Sequence, residues 1–174
     1  MNAPTLETPR LILRPYGLND FPFFAAMWAD PQATRFIGDG TPRSEEASWA
    51  SFLATAGRWA LLGFGSWAIE EKSSGRFAGG VGFNKRTHVD NESLNDLSEM
   101  GWMFASAASG RGYATEAVQV ALDWGRAHFG PVRTIAIVSP ENHISMRVAE
   151  KSGFKEFLRG PSAGRPRVFF DRIL

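Results

Sequence analysis

Two periods organise the chain. Short apolar runs bounded by Gly, Pro or polar clusters predict strands at Arg10–Tyr16, Gly65–Lys72, Arg76–Arg86, Leu97–Phe104, Arg133–Ser139, Phe154–Gly160 and Arg165–Leu174. Apolar residues three and four apart predict helices between them. The first runs from a cap at Asn19 or Asp20 through Phe23, Phe24, Met27 and Trp28, and stops before Pro31. Ser44 caps a second helix, whose entry carries Glu45 and Glu46 and whose exit lies near Gly63. A third, after Gly112, carries the stripe Ala114, Ala117, Val118, Ala121, Leu122, Gly125 and Phe129. A fourth, within ENHISMRVAEKSGF, ends at Gly153.

The resulting order is β-α-α-β-β-β-α-β-α-β-β. Hairpin-linked strands lead into one β-α-β unit and return to strands, an α/β (mixed α+β) arrangement with a central, mostly antiparallel mixed sheet of about seven strands and about four helices on its faces. With no repeat, low-complexity tract or linker, residues 1–174 are expected to form a single domain.

Composition narrows the function classes. At 174 residues and 44% hydrophobic the chain is long enough for a real core. A formal net charge of +1 lacks the basic excess of a nucleic-acid binder. The absence of cysteine removes disulfides, thiolate zinc sites and cysteine nucleophiles. With no signal-like start and no stretch of about 18 apolar residues, a cytoplasmic protein without a membrane partner is expected.

The stretch SGRGYATEA, Ser109 to Ala117, sets glycines at the mouth of the best helix. A helix start has N–H groups without intrahelical partners and partial positive charge, and Gly110 and Gly112 remove side chains where an anion would approach. A tight strand-to-helix turn would also demand glycine, and both readings stand. Neither nucleotide fingerprint fits, because no Gly-Lys-[Ser/Thr] follows and Thr115 stands where G-x-G-x-x-G needs its last glycine.

SGRGYATEA, preceded by EMGWMF and followed by ENHISMRVAEKSGF, resembles the GNAT superfamily of acetyl-CoA-dependent N-acetyltransferases. TPRLILRPYGLNDF and GFGSWAIEEKSSGRFAG resemble its ribosomal-protein N-terminal acetyltransferase branch. The resemblance spans about Thr8 to Leu174. It implies the GNAT fold, with acetyl-CoA as acyl donor, no metal, and a primary amine as acceptor, either a protein N-terminus or a small molecule. It implies a monomer or homodimer. The pyrophosphate loop maps onto Ser109, Gly110, Arg111, Gly112, Tyr113, Ala114 and Thr115, with Ser109 in place of the usual Gln or Arg. The pantetheine arm would pair with backbone around Trp102, Met103 and Phe104, where that strand diverges from Arg133–Ser139.

Acetyl transfer needs an unprotonated amine, donors for the oxyanion, and a stabilised thiolate. Glu99 is the candidate base, because a carboxylate within an apolar strand loses hydration, the setting in which proteins tune proton exchange. A solvated or arginine-paired strand-end glutamate is the alternative. Glu116, His88 and His143 are weaker candidates. Asn142 would contact the pantetheine, cap its helix, or both. Ser145 would hydrogen-bond the thiolate or sit plainly on a helix surface. The aromatics Phe21, Phe23, Phe24, Trp28, Phe36, Trp49, Phe52 and Trp59 either wall an apolar acceptor groove or are core. The alternative from another class is a catalytically weak acyl-CoA-binding sensor or regulatory module.

Overall fold

The computed structural model describes residues 3–85, 87–88 and 90–174. Eight strands form one sheet: β1 Leu6–Glu7, β2 Leu11–Arg14, β3 Ser66–Glu71, β4 Arg76–Asn84, β5 Ser98–Phe104, β6 Arg133–Val138, β7 Lys155–Ser162 and β8 Arg165–Ile173. Five helices accompany them: α1 Phe21–Ala29, α2 Pro31–Thr34, α3 Glu45–Leu62, α4 Tyr113–Phe129 and α5 His143–Lys151. The strand order is β1-β2-β3-β4-β5-β6-β8-β7, antiparallel everywhere except between β5 and β6. This is the mixed, mostly antiparallel sheet with flanking helices that was expected, with eight strands and five helices among the described residues where about seven and four were expected.

The additions have local causes. β1 is two residues long, too short to carry a period. Pro31 does end α1, but it also opens α2, where its missing N–H costs nothing at the first helical position and Asp30 caps through Oδ1 to the Gln32 N–H. The run expected to continue to Arg86 ends as a strand at Asn84, and Arg86 itself lies outside the described residues.

One core cluster joins the α4 stripe to the sheet: Ala117, Val118, Ala121 and Leu122 pack with Leu11, Leu13, Trp67, Val81, Phe83 and Met100. Burying a side chain such as Leu122 or Val118 stabilises the fold by about 1.5–3 kcal/mol. Gly125 lets α4 lie close, since a Cβ there would stand 2.3 Å from Phe83 Cζ. A second cluster, Phe24, Met27 and Phe52 with Tyr16, Phe77 and Met103, seats α1 and α3. The aromatics of the two helices thus largely pack on one another: Phe24 meets Phe52 edge-on at 5.4 Å and Phe21 meets Trp49 at 4.7 Å. No helix among the described residues is long and apolar enough to cross a membrane.

Candidate active site

The sheet splits at its one parallel join. β5 and β6 are registered only at Ser98↔Thr134 and Glu99↔Ile135. Beyond that point β5 keeps β4 as partner through Phe104 and β6 keeps β8 through Val138, so the two strands run apart. Among the described residues, Trp102, Met103 and Phe104 have no strand on the β6 side. Trp102 and Phe104 pack against the α4 core, and Met103 packs against the α1/α3 cluster.

α4 begins where β5 ends, after a short 3-10 turn at Ser106–Ala108. Gly110 and Gly112 have φ of 77° and 76°, the left-handed region that favours glycine. The turn therefore needs both residues for its backbone. A Cβ at Gly110 would meet open space, so the loop also leaves that approach clear. Gly112 caps α4 without any side-chain hydrogen bond, whereas Asp30, Ser44 and Asn142 each cap their helices through a side chain. The N–H groups of Tyr113, Ala114 and Thr115 precede the first intrahelical acceptor. The two readings of the glycine pair are compatible: the turn is tight, and the helix end it leaves is bare.

A set of long-range contacts holds this helix end. Glu116 accepts from Thr8 Oγ1 at 2.5 Å, from the Arg10 N–H at 3.0 Å and from Arg10 Nε at 2.7 Å. Arg10 Nη1 also donates to the Arg111 carbonyl at 2.8 Å. Glu116 is therefore a clamp between the β1–β2 turn and α4. The Arg111 side chain is ion-paired with Glu71 at the end of β3, and the Tyr113 hydroxyl donates to the same carboxylate at 2.5 Å. Arg10 and Arg111 each lie over the Tyr113 ring, at 4.8 and 4.6 Å. Thr8, Arg10 and Glu71 were not singled out from the sequence, because the loop and helix residues they bind lie far away along the chain.

Glu71 makes the loop sensitive to acid. Hydrogen bonds from Tyr113, then Arg111 and Ser74, hold its carboxyl at about 2, below its ordinary 4.5. Because the folded value lies below the unfolded one, the ionised carboxylate stabilises the fold fully above pH 4.5, and this contribution fades as pH falls toward 2. Wild type is expected to melt above Glu71→Gln at pH 7, with the gap narrowing steadily between pH 4.5 and 2. Thermal melts across that range check it, and a pH-independent gap would refute the linkage.

Glu99 is buried and is the last residue of β5 paired with β6, so it stands at the apex of the split. It faces Asn84 across the antiparallel ladder, and Asn84 accepts from Arg58 at 3.1 Å. His88, also buried, brings Nε2 to 3.7 Å from Glu99 Oε2. The polar neighbours of His88 in sequence make it a weaker candidate there; it is buried all the same, as is Leu94 further along the loop. His143 is exposed at the first position of α5. Across the split, Asn142 Oδ1 accepts from the Ser145 N–H at 3.1 Å, which realises the capping role and leaves the Asn142 amide NH₂ as a donor. Ser145 lies half-buried in the first turn of α5.

Ser106 Oγ donates to Asp30 Oδ2 at 2.5 Å, tying the loop before α4 to the α1–α2 junction. That hydrogen bond, followed by the Gln32 N–H, lowers the Asp30 carboxyl below its ordinary value.

A family model described as the acetyltransferase (GNAT) domain matches residues 10–155. The Bacillus subtilis (strain 168) protein YkkB is 31% identical over 157 residues, covering 88% of this chain and 87% of YkkB. The crystal structure of an acetyltransferase from Agrobacterium tumefaciens str. C58 superposes with a TM-score of 0.83 at 29% identity, covering 99% of this chain and 95% of that one. The ribosomal L7/L12 α-N-protein acetyltransferase RimL, in complex with coenzyme A, superposes with a TM-score of 0.77 over 98% of both chains; at 17% identity the likeness is one of fold. A split sheet with a bare glycine-led helix end beside it is the framework of an acyltransferase, and the chain belongs to the GNAT acetyltransferase family.

Proposed function

We propose that residues 1–174 act as one N-acetyltransferase domain that moves the acetyl group of acetyl-CoA to a primary amine by direct attack in a ternary complex. The observation that carries the reading is the bare start of α4 set beside the β5–β6 split. A pyrophosphate suits that helix end, where the first-turn N–H groups have no intrahelical partners and the helix dipole favours negative charge. The Ser109 side chain is not needed for such contacts, and the Arg111 guanidinium, already paired with Glu71, helps mainly by fixing the loop. The amide-bearing pantetheine arm suits the open side of Trp102, Met103 and Phe104, with the Asn142 amide across the split. The coenzyme A complex of RimL, which shares the fold, supports this placement.

In this reading Glu99 accepts the amine proton through water. The neutral nitrogen attacks the thioester carbonyl, a backbone N–H of β5 stabilises the oxyanion, and the carbon–sulfur bond breaks to give the coenzyme A thiolate and an amide whose surplus nitrogen proton passes to solvent water. Ser145 donates a hydrogen bond to that thiolate. The test is thiol release from acetyl-CoA with a panel of peptides, amino acids, polyamines and aminoglycosides, each product checked by mass for one added acetyl group. Amine-dependent release is expected. Tight coenzyme A binding without release for any amine would favour the sensor module instead.

A further inference from the structure

One cavity beyond the end of β6 is not apolar. Its volume is about 210 Å³, and it lies between the residues after α2, the loop after β6 and the start of β8. Its lining includes Arg35 and Phe36, Ser139 and Glu141, and Arg165 and Arg167. Three arginines and a single acidic residue thus line it, in a chain whose formal net charge is only +1. The Arg35 guanidinium lies over the Phe36 ring, 4.5 Å from its centroid. Arg167 donates from Nη2 to the Gly38 carbonyl at 2.8 Å, a neutral partner that fixes the side chain without cancelling its charge. Among the described residues, none of the three arginines makes an ion pair within 4.0 Å. Burial, and then the charge of Arg165, push the Arg167 guanidinium below its ordinary value. Asp39 is the acid that feels Arg165, and the Asp39 carboxylate is already engaged by the Thr41 N–H at 2.9 Å.

We infer that this cavity is the acceptor's anion subsite, and that the preferred acceptor is an amine carrying its own carboxylate or phosphate. The inference rests on the acetyl-transfer reading for the location of the cleft, and deepens it by naming the substrate class. Clustered arginines repel one another, and a carboxylate or phosphate relieves that repulsion while forming paired, charge-assisted hydrogen bonds to the planar forks. The volume is below the roughly 300 Å³ at which drug-sized pockets begin, which suits one charged arm rather than a polyvalent ligand. Polyamines and aminoglycosides are disfavoured by like charge.

The experiment compares amines that differ only in charge. Ala-Glu-NH₂ is paired with Ala-Gln-NH₂ for a peptide source, and free glutamate with its diamide for a small-molecule source. Thiol release is measured for wild type and for Arg165→Gln/Arg167→Gln. Wild type is expected to prefer the charged member of at least one pair by about 10–100-fold in kcat/KM, the usual weight of one to two charge-assisted contacts. The double variant should reduce that preference to within about three-fold and leave coenzyme A affinity unchanged, and added salt should erode the wild-type preference. Equal turnover of charged and neutral members, or a preference that survives in the double variant, would overturn the inference while leaving acetyl transfer intact. If no amine releases thiol, the acetyl-transfer reading fails. Calorimetric titration of Ala-Glu-NH₂ and glutamate into the coenzyme A-loaded protein then decides the subsite: binding abolished by the double variant supports it, and absence of binding overturns it.

Discussion

Replacing Glu99 with glutamine is expected to slow amine acetylation at pH 7 by about 10²–10⁴, the range typical of removing a general base. The substitution keeps the size and hydrogen-bonding shape of a side chain buried at the apex of the split, so the fold should survive. An α-amine titrates near pH ~8 and a lysine near ~10.4, so most acceptor molecules at pH 7 must lose a proton before attack. As pH rises the amine sheds that proton unaided, and the deficit of the variant should shrink. A merely structural role would give a deficit that pH does not relieve. Turnover profiles from pH 6.5 to 10 on both proteins separate the cases, and a variant as fast as wild type at pH 7 would remove Glu99 from the mechanism.

Replacing Gly112 with valine should weaken coenzyme A binding by at least about 100-fold. The residue sits at φ 76°, where a β-branched side chain is strained by about 1–3 kcal/mol. Its Cβ would lie 3.4 Å from Arg10 Nη2, so the added methyls press on the arginine that holds Glu116 and the Arg111 carbonyl. Strain and displacement both act where the phosphates would dock. Gly63→Ala is the control: Gly63 ends α3 at φ 74° with nothing within 4 Å of its Cβ, so it brings left-handed strain without touching the loop. Calorimetry with coenzyme A should find binding lost in the first variant and kept in the second. Equal affinity in Gly112→Val would show that the phosphates bind elsewhere.

What could be read from the chain was what is local. The α4 stripe of Ala117, Val118, Ala121, Leu122 and Gly125 is buried as its spacing predicted, and the glycine pair before it has the backbone that only glycine adopts at low cost. Ser44, Asn142 and Gly63 end their helices as their residue types require. Contacts between distant residues were not legible. Arg10 and Glu116 are 106 positions apart, and no periodicity announces a carboxylate's partner at that range. The acceptor side shows the same limit. Its aromatics stood out in sequence, yet Phe24, Phe52 and Trp49 spend their surface on one another. An apolar acceptor groove walled by them was one of the two readings the sequence left open. Arg35, Arg165 and Arg167 instead gather around one cavity, because residues some 130 positions apart meet there and a net charge cannot register a local concentration.

The divergence of β5 from β6 also bears on solubility. A sheet normally has two outer edges, and this one has two more inside it, along Met100–Phe104 and Ala136–Val138. Each carries a row of main-chain donors and acceptors of the kind that recruits a foreign strand and seeds aggregation. Only an occupant that satisfies those groups, as an amide-bearing arm laid along β5 would, closes the gap. These inner edges therefore add to the outer ones as places where an empty molecule can associate with its own kind, and on the proposed cofactor placement saturation with coenzyme A should lengthen the life of the protein in storage as well as raise its melting temperature.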